Sequence, residues 1–171
     1  MHPVVFGKIA EVVAVLATAA LISLCVSTPA SGEEMPKQFD FTLTFTWATS
    51  SNETIKLGEK NTGSSWRATL VATNDAGAVF MNNMVGNCAS FTLQGGEALQ
   101  ALGACAYEDK DGDQLYETYK STTQGKGSLA FIDGTGKFGG IHCEGEYTTV
   151  GWARQGAGGV GKKKGSCTFS K

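Results

Sequence analysis

The clearest pattern in the chain is a strict alternation of apolar and polar side chains that begins at residue 39. Phe39, Phe41, Leu43, Phe45 and Trp47 occupy the odd positions, and aspartate or threonine occupies the even positions between them. A period of two places alternate side chains on opposite faces of a β-strand. The pattern therefore predicts a half-buried strand whose odd positions face the interior.

Short segments of similar character follow, separated by turns rich in Gly, Asn and Asp. Strands are predicted at 53–57, 66–73, 87–93, 103–107, 114–122, 127–132, 141–152 and 164–170. Loops are predicted at 58–65, 97–102 and 156–161, the second with at most one helical turn, because six residues are too few to hold a helix unaided. Residues 78–85 fit neither class. Short strands in sequential hairpins, without a convincing amphipathic helix, predict an all-β protein, as a barrel or a sandwich, with an up-and-down barrel favoured.

The most specific stretch runs from Phe131 to Trp152. It contains two strand-like segments around the glycine-rich sequence Gly134-Thr-Gly-Lys-Phe-Gly-Gly140. Glycine adopts positive φ and allows close chain approach at little cost. We therefore expect a sharp strand-to-strand corner here.

The N-terminus has the form of an export signal. Lys8 precedes an apolar run from Ile9 to Val26, and small residues stand at Thr28 and Ala30. This order predicts a helical signal peptide at 1–30 and one β-barrel domain at 31–171. An uncleaved anchor is the alternative, since about 20 apolar residues span a bilayer. With cleavage, the protein is exported, periplasmic or secreted, and contacts the membrane only through the signal.

Cys25 falls within the signal, which leaves an even number of cysteines for the mature chain: Cys88, Cys105, Cys143 and Cys167. An even count in an exported chain indicates two disulfides. Each of two pairs is symmetric about a turn-like segment, so hairpin geometry favours Cys88–Cys105 and Cys143–Cys167. Zinc is the alternative, but the chain has no Cys-x-x-Cys and only His142 remains after the signal.

The charge pattern excludes some partners. The formal net charge is −2, which gives no electrostatic case for nucleic acid. The glycine run before Lys162 imitates a phosphate-binding loop, but Lys163 stands where Ser or Thr should follow. Residues 162–164 are interpreted as a solvated hairpin end, and no cofactor is expected.

The run from Glu108 to Asp113 is the densest acidic cluster. Carboxylates at alternate positions suit calcium, yet Gln114 and Lys120 stand where an EF-hand loop requires Gly and Glu. The simpler interpretation is a hairpin turn on Asp111-Gly112. We expect no metal, and a weak surface calcium site remains the alternative.

His142, with Glu144 and Glu146 nearby, is the one place where histidine acid–base chemistry could occur in the mature chain. Glu144 and Glu146 share a strand face and could share a proton if they were buried. Such pairs more often face water, so no catalytic residue is assigned.

The sequence Asp133-Gly-Thr-Gly-Lys-Phe138, followed by Gly139-Gly-Ile141 and Gly145, resembles the strand-turn-strand signature of the allene oxide cyclase and dirigent-type barrels. With Cys88, Cys105 and the acidic run, the chain is also similar to exported bacterial members of that superfamily of unknown activity. The resemblance implies an eight-stranded barrel that holds a small apolar molecule, often as a dimer or trimer. It carries over no catalytic residue, because the matching positions are architectural.

Aromatic side chains are the candidate ligand contacts, since apolar walls with a few polar tips are typical of small-molecule pockets. For cavity lining the sequence nominates Phe41, Phe45, Tyr119 and Tyr147. The leading hypothesis is an exported, disulfide-stabilised barrel that binds a small apolar molecule. The alternatives are a cyclase or isomerase acting in the cavity and an envelope-associated structural protein. A buried perturbed carboxylate would favour the enzyme, purely apolar walls the binder, and a solid interior the structural role.

Overall fold

A computed structural model describes residues 35–96 and 98–170. The signal helix predicted at 1–30 lies outside the described residues. The strands are β1 Gln38–Lys56, β2 Asn61–Asn74, β3 Met84–Gly95, β4 Ala98–Glu108, β5 Gln114–Thr123, β6 Lys126–Gly134, β7 Ile141–Trp152 and β8 Gly158–Phe169. Consecutive strands pair antiparallel, and β8 pairs with β1 to close an eight-stranded up-and-down barrel.

The sequence predicted the all-β class and the barrel, but three loop predictions were wrong. Ala98–Leu102 belongs to β4 although its residues favour helix, because pairing with β3 and β5 outweighs local propensity. A loop was predicted at 58–65, but β2 already begins at Asn61. Another was predicted at 156–161, but β8 already begins at Gly158. Both strands extend into polar or glycine-rich sequence because their partners supply the hydrogen bonds.

The glycine-rich corner forms where the sequence predicts it. β6 ends at Gly134, a single 3-10 turn covers Gly136–Phe138, and β7 starts at Ile141. Gly140 has a φ of +76°, a conformation that side chains with a β-carbon rarely adopt. The corner buries Phe138 completely and so covers one end of the barrel.

The acidic run forms the turn between β4 and β5. Gly112 has a φ of +84°, and the Asp109 carboxylate accepts backbone N–H bonds from Asp111 and Asp113. The ammonium of Lys137 pairs with Asp109 and lies 3.0 Å from Asp111 Oδ2. The lysine therefore stands among the carboxylates that the calcium alternative requires.

The two ends of the barrel interior differ. The β2–β3 loop inserts Phe80 and Met81 into the end that holds the corner, and Asn74 fixes this loop by donating to the Phe80 carbonyl at 2.9 Å. Phe80 packs against Phe41 and Phe131 at ring-centroid distances of 5.3 and 5.5 Å. Buried side chains fill the core of this closed half, whereas the half beneath the β1–β2, β3–β4, β5–β6 and β7–β8 turns contains a cavity.

The structure forms both disulfides that the hairpin argument predicts, Cys88–Cys105 and Cys143–Cys167. Each pair occupies directly opposed positions on neighbouring strands, β3 with β4 and β7 with β8. All four cysteines are buried. The bridges therefore cross-link two of the hairpins from inside the barrel.

Candidate functional site

The hollow half of the barrel contains a cavity of about 360 Å³, within the size range of small-molecule sites. Its inner end is formed by buried side chains, and its mouth opens at residues of the strand-connecting turns, among them Gln124 and Gly156. Large aromatic side chains form much of the wall: Phe45, Trp47, Trp66, Tyr119, Tyr147 and Trp152. The cavity is thus an aromatic-walled pocket open at one end of the barrel.

Three of the four nominated ligand contacts lie together in this cavity. Phe45, Tyr119 and Tyr147 line it, and the Tyr119 and Tyr147 rings meet edge to face with centroids 5.8 Å apart. Phe41 shares the inward face of β1 but packs against Phe80 and Phe131 in the closed half. The alternation gave the correct face, but it could not show which half is filled by the β2–β3 loop.

Glycines directly opposite the aromatic residues make room for these rings. In each such pair the ring occupies the space that a β-carbon on the glycine would take. The pairs, read across neighbouring strands, are Phe41/Gly165, Phe45/Gly161, Trp47/Gly159, Tyr107/Gly86, Tyr119/Gly103 and Tyr147/Gly127. Covering a strand glycine with a cross-strand aromatic ring is a known device of curved sheets. Four of these rings, those of Phe45, Trp47, Tyr119 and Tyr147, line the cavity.

The floor of the cavity carries a buried ion pair. Lys163 on β8 donates to Glu117 Oε2 on β5 at 2.5 Å and to the Tyr107 hydroxyl on β4 at 2.8 Å. The Tyr107 hydroxyl in turn donates to Glu117 Oε2 at 3.1 Å. Lys163 and Glu117 are only 3% and 2% exposed, so the pair joins opposite walls of the barrel in a largely desolvated setting.

Glu117 has one oxygen left for the cavity. Among residues 35–96 and 98–170, Oε1 accepts no hydrogen bond, while Oε2 accepts two. No buried side-chain oxygen or nitrogen in this same part of the chain is without a partner, so Oε1 is accessible from the cavity that Glu117 lines. The floor therefore presents a hydrogen-bond acceptor.

Burial also perturbs the phenols near the site. Desolvation raises the pKa of Tyr119 to about 12 and raises the pKa of Tyr147. Burial and the neighbouring Glu117 carboxylate raise the pKa of Tyr107 well above its usual value. All three phenols are neutral at physiological pH and offer hydroxyl groups, not phenolates.

The rim is held in place by one threonine. Thr49, at the β-bulge of β1, accepts a hydrogen bond from Trp66 Nε1 at 3.0 Å and donates to the Gly156 carbonyl at 2.9 Å. It thereby ties β1, β2 and the β7–β8 turn together around the mouth. Trp152 stands beside Trp47 at 5.5 Å between centroids and is 57% exposed.

The acid–base candidates of the sequence lie elsewhere. His142, Glu144 and Glu146 are exposed on the outward face of β7, and Glu146 approaches Lys164 at 3.8 Å. The sequence missed Glu117 and Lys163, the two charged side chains in the cavity lining. The interpretation of residues 162–164 as a solvated hairpin end was wrong for Lys163, which lies within β8 and is buried. The spacing along the strands could have indicated both residues, because side chains an even number of positions apart lie on one face of a strand. Lys163 is four residues before Cys167, and Glu117 is two residues before Tyr119.

The described part of the chain contains neither a candidate metal cluster nor a membrane-crossing helix. No cluster of three or more His, Cys, Asp or Glu side chains there could hold a metal ion. Within residues 35–96 and 98–170, no helix has the length and apolar character needed to cross a membrane.

The barrel is similar to solved dirigent proteins. Compared with the pterocarpan synthase dirigent protein GePTS1, the TM-score is 0.51 at 11% identity, over 80% of this chain and 88% of the other. Compared with the pterocarpan synthase dirigent protein PsPTS1, the TM-score is 0.51 at 12% identity, over 79% of this chain and 97% of the other. A pyocyanin demethylase gives 0.45 at 11% identity, over 74% and 99%. No protein-family model and no curated protein matches the sequence. At these identities the likeness is one of fold, and the fold is dirigent-like.

Proposed function

We propose that this protein is an exported, disulfide-stabilised barrel that holds a small apolar molecule in its open half. The observation that carries the proposal is the aromatic-walled cavity, which lies inside one half of the barrel although buried side chains fill the core of the other half. Apolar walls with a few convergent polar groups are typical of small-molecule sites. Phe45, Tyr119 and Tyr147 are the proposed ligand contacts, and Glu117 supplies the polar end.

Export belongs to the same proposal. Two intramolecular disulfides are consistent with an oxidising compartment, and the signal proposed at 1–30 would deliver the barrel domain 31–171 to the periplasm or the exterior. We also propose that the protein is related to the allene oxide cyclases and to exported bacterial barrels, as the corner at 133–145 suggests. We further propose that it assembles into a homo-oligomer.

The ligand-binding proposal is tested by native mass spectrometry of the protein isolated from its source without detergent, before and after denaturation. We expect a stoichiometric non-protein mass that denaturation releases. The matched variants are Ala101→Trp, which fills the cavity, and Ala104→Trp, which adds the same side chain to the exposed face of β4. Retention should be lost only in Ala101→Trp. If neither a retained mass nor binding of added apolar compounds is found, or if the two variants behave alike, the proposal is wrong.

A second candidate function is an isomerase or cyclase that acts on the bound molecule. The observation that favours it is Glu117 Oε1, a carboxylate oxygen that faces the cavity, where a general base would stand. Its test is solvent deuterium exchange into the retained molecule, compared between the wild type and Glu117→Gln. Exchange that depends on Glu117 would favour the enzyme, and a bound molecule that stays unlabelled would favour the binder. The structural alternative has less support, since it was expected to accompany a solid interior.

A further inference from the structure

An exposed apolar cluster lies on the outer face of β1, β2 and β3, close to the open end of the barrel. The side chains of Ile55, Leu57 and Phe91 converge above Gly63, each within 3.4 Å of the position that a β-carbon on this glycine would take. Leu93 lies directly opposite Gly63 on the neighbouring strand. These four apolar side chains, which we call the first lip, are between 40% and 58% exposed. Contiguous exposed apolar side chains of this kind indicate an interaction surface.

A second exposed apolar group lies beside the same mouth at the end of β7. It consists of Val150 and Trp152, which are 61% and 57% exposed, and Trp152 also lines the cavity. We call this pair the second lip. The hairpins that carry the first lip line the cavity as well, through Asn52 and Leu99. The two lips therefore flank the mouth, and a surface that contacts both of them also covers it.

The depth of the first lip suits the boundary region of a bilayer. Its member farthest from the open end is Phe91, four residues before β3 ends at Gly95. At the usual rise and tilt of barrel strands, this corresponds to about 10 Å along the barrel axis. Apolar faces that lie on membranes enter the boundary between headgroups and acyl chains by about 5–10 Å. Tryptophan, which the second lip contributes, is enriched at the same boundary.

The charges of the barrel are divided unevenly between its two ends. Among the described residues near the open end, exposed basic side chains outnumber the acidic ones, with Lys56, Lys60, Lys126 and Arg154 against Glu53 and Glu59. Glu97, between β3 and β4, lies outside the described residues. Near the closed end acidic side chains predominate, with Asp40, Asp75, Glu108, Asp109, Asp111, Asp113 and Asp133 against Lys37, Lys110 and Lys137. The closed end therefore carries most of the negative charge.

A bilayer with anionic lipid matches both the apolar lips and this division of charge. Its negative surface attracts nearby Lys and Arg side chains and repels carboxylates, within about a Debye length. The barrel would therefore approach such a surface with its open end. A bilayer also contacts both lips at once and leaves the mouth accessible to apolar molecules dissolved in it. A protein partner that covered both lips would instead separate the cavity from its ligand.

We propose that the open end of the barrel docks on the surface of a bilayer that contains anionic lipid. The two lips enter the boundary between headgroups and acyl chains, and the basic side chains around them contact the headgroups. This interaction goes beyond the ligand-binding function, and it goes beyond the sequence expectation that only the signal contacts a membrane. It places the mouth of the cavity against the phase in which apolar molecules accumulate.

The test is flotation of the exported protein with phosphatidylcholine vesicles, with and without phosphatidylglycerol. The mass of the protein first establishes that the signal is absent, because about 20 apolar residues insert into lipid by themselves. We expect the protein to float with the anionic vesicles and to dissociate as salt is added. Ile55→Ser combined with Leu93→Ser should weaken binding about tenfold or more. Lys56→Glu combined with Lys60→Glu should also weaken it about tenfold or more, while keeping the apolar lips.

The matched control is Val85→Ser combined with Ile132→Ser. It removes two apolar side chains, 49% and 47% exposed, from the outer face near the closed end. The control should float as the wild type does. The comparison of the two vesicle types on the wild type, together with the lysine variant, decides the matter even if the serine variant of the first lip fails to fold.

The inference is overturned if the wild type does not float, if its binding is independent of phosphatidylglycerol, or if the lip and control variants lose binding equally. It is also overturned if the wild type stays unbound and sedimentation velocity shows a dimer that the lip variant dissociates, because the lips would then contact a second copy of the chain. Each of these outcomes leaves the ligand-binding proposal in place, since that proposal is tested by the retained mass.

Discussion

Gly103 on β4 lies directly opposite Tyr119 on β5, and the phenol ring fills the position that a β-carbon at residue 103 would occupy. The pair shows how a barrel with so many large aromatic side chains keeps a hollow half. Because Gly103 has no side chain, the Tyr119 ring lies close to β4 and takes up less of the barrel interior. A β-carbon added at residue 103 must therefore either displace the Tyr119 ring or strain the sheet.

Gly103→Ala should therefore lower the free energy of unfolding by about 1–3 kcal/mol, the usual cost of overpacking. It should also weaken ligand binding, because Tyr119 lines the cavity and displacing its ring changes the cavity wall. Urea denaturation with the disulfides intact measures the change in the free energy of unfolding. Equilibrium dialysis with an apolar compound that the wild type binds measures the change in ligand binding.

The control is the same change in a Tyr119→Ala background, where the clash is absent. The cost of Gly103→Ala should then fall to a few tenths of a kcal/mol, so that the two substitutions are strongly non-additive. Additive costs would mean that the glycine is needed for a reason other than its tyrosine partner.

Much of the barrel follows from short-range patterns in the sequence. Alternation at 39–47 placed the inward face of β1 correctly, and the glycines of 134–140 gave the corner. Equal spacing about a turn predicted both disulfide pairs, because opposed positions on a hairpin are symmetric about its turn. What these features share is that two strands and one turn suffice to determine them.

The features that failed depend on the whole barrel. Glu117 and Lys163 come from strands that are not neighbours, and Lys163 was interpreted from the sequence as part of a solvated hairpin end. Phe41 and Phe45 share a face of β1, and only insertion of Phe80 by a distant loop separates their environments. Closure decides which interior positions meet, and a single-sequence pattern carries no information about that choice.

The two disulfides should contribute similarly to stability. They close segments with sequence separations of 17 and 24, and the loop-entropy cost rises only slowly with length. Paired replacement by alanine, Cys88→Ala with Cys105→Ala or Cys143→Ala with Cys167→Ala, should each lower the free energy of unfolding by about 3 kcal/mol. Urea denaturation of the two double variants measures both losses. A negligible loss for either pair would indicate that its bridge does not form, which peptide mapping under non-reducing conditions would show directly.

Tyr119 should make stability fall at alkaline pH. Its pKa is about 12 in the folded chain, because burial disfavours the phenolate, and about 10 when unfolded. Its contribution is therefore complete below pH 10 and is lost as the pH rises toward 12, because the unfolded chain releases the proton first. The loss attributable to this group is about 2 kcal/mol.

The measurement is the free energy of unfolding of the wild type and of Tyr119→Phe between pH 9 and 12. Lysines and other tyrosines titrate in both proteins, so the difference between the two curves isolates Tyr119. The wild type should lose more stability than the variant in this window. Parallel curves would show that the phenol is not buried as described.

Breaking the ion pair between Glu117 and Lys163 should lower the free energy of unfolding. Glu117→Gln leaves the Lys163 ammonium buried without its counter-charge, which typically costs about 3–5 kcal/mol. Glu117→Gln combined with Lys163→Met removes both charges and keeps the volumes similar, so most of that stability should return. Because the double variant keeps the aromatic walls but lacks the carboxylate, its ligand binding also shows whether the carboxylate contributes to binding. If the single and double variants are equally unstable, the floor is held by packing and not by the ion pair. If the single variant is as stable as the wild type, the Lys163 ammonium has access to water, and the floor of the cavity is not desolvated.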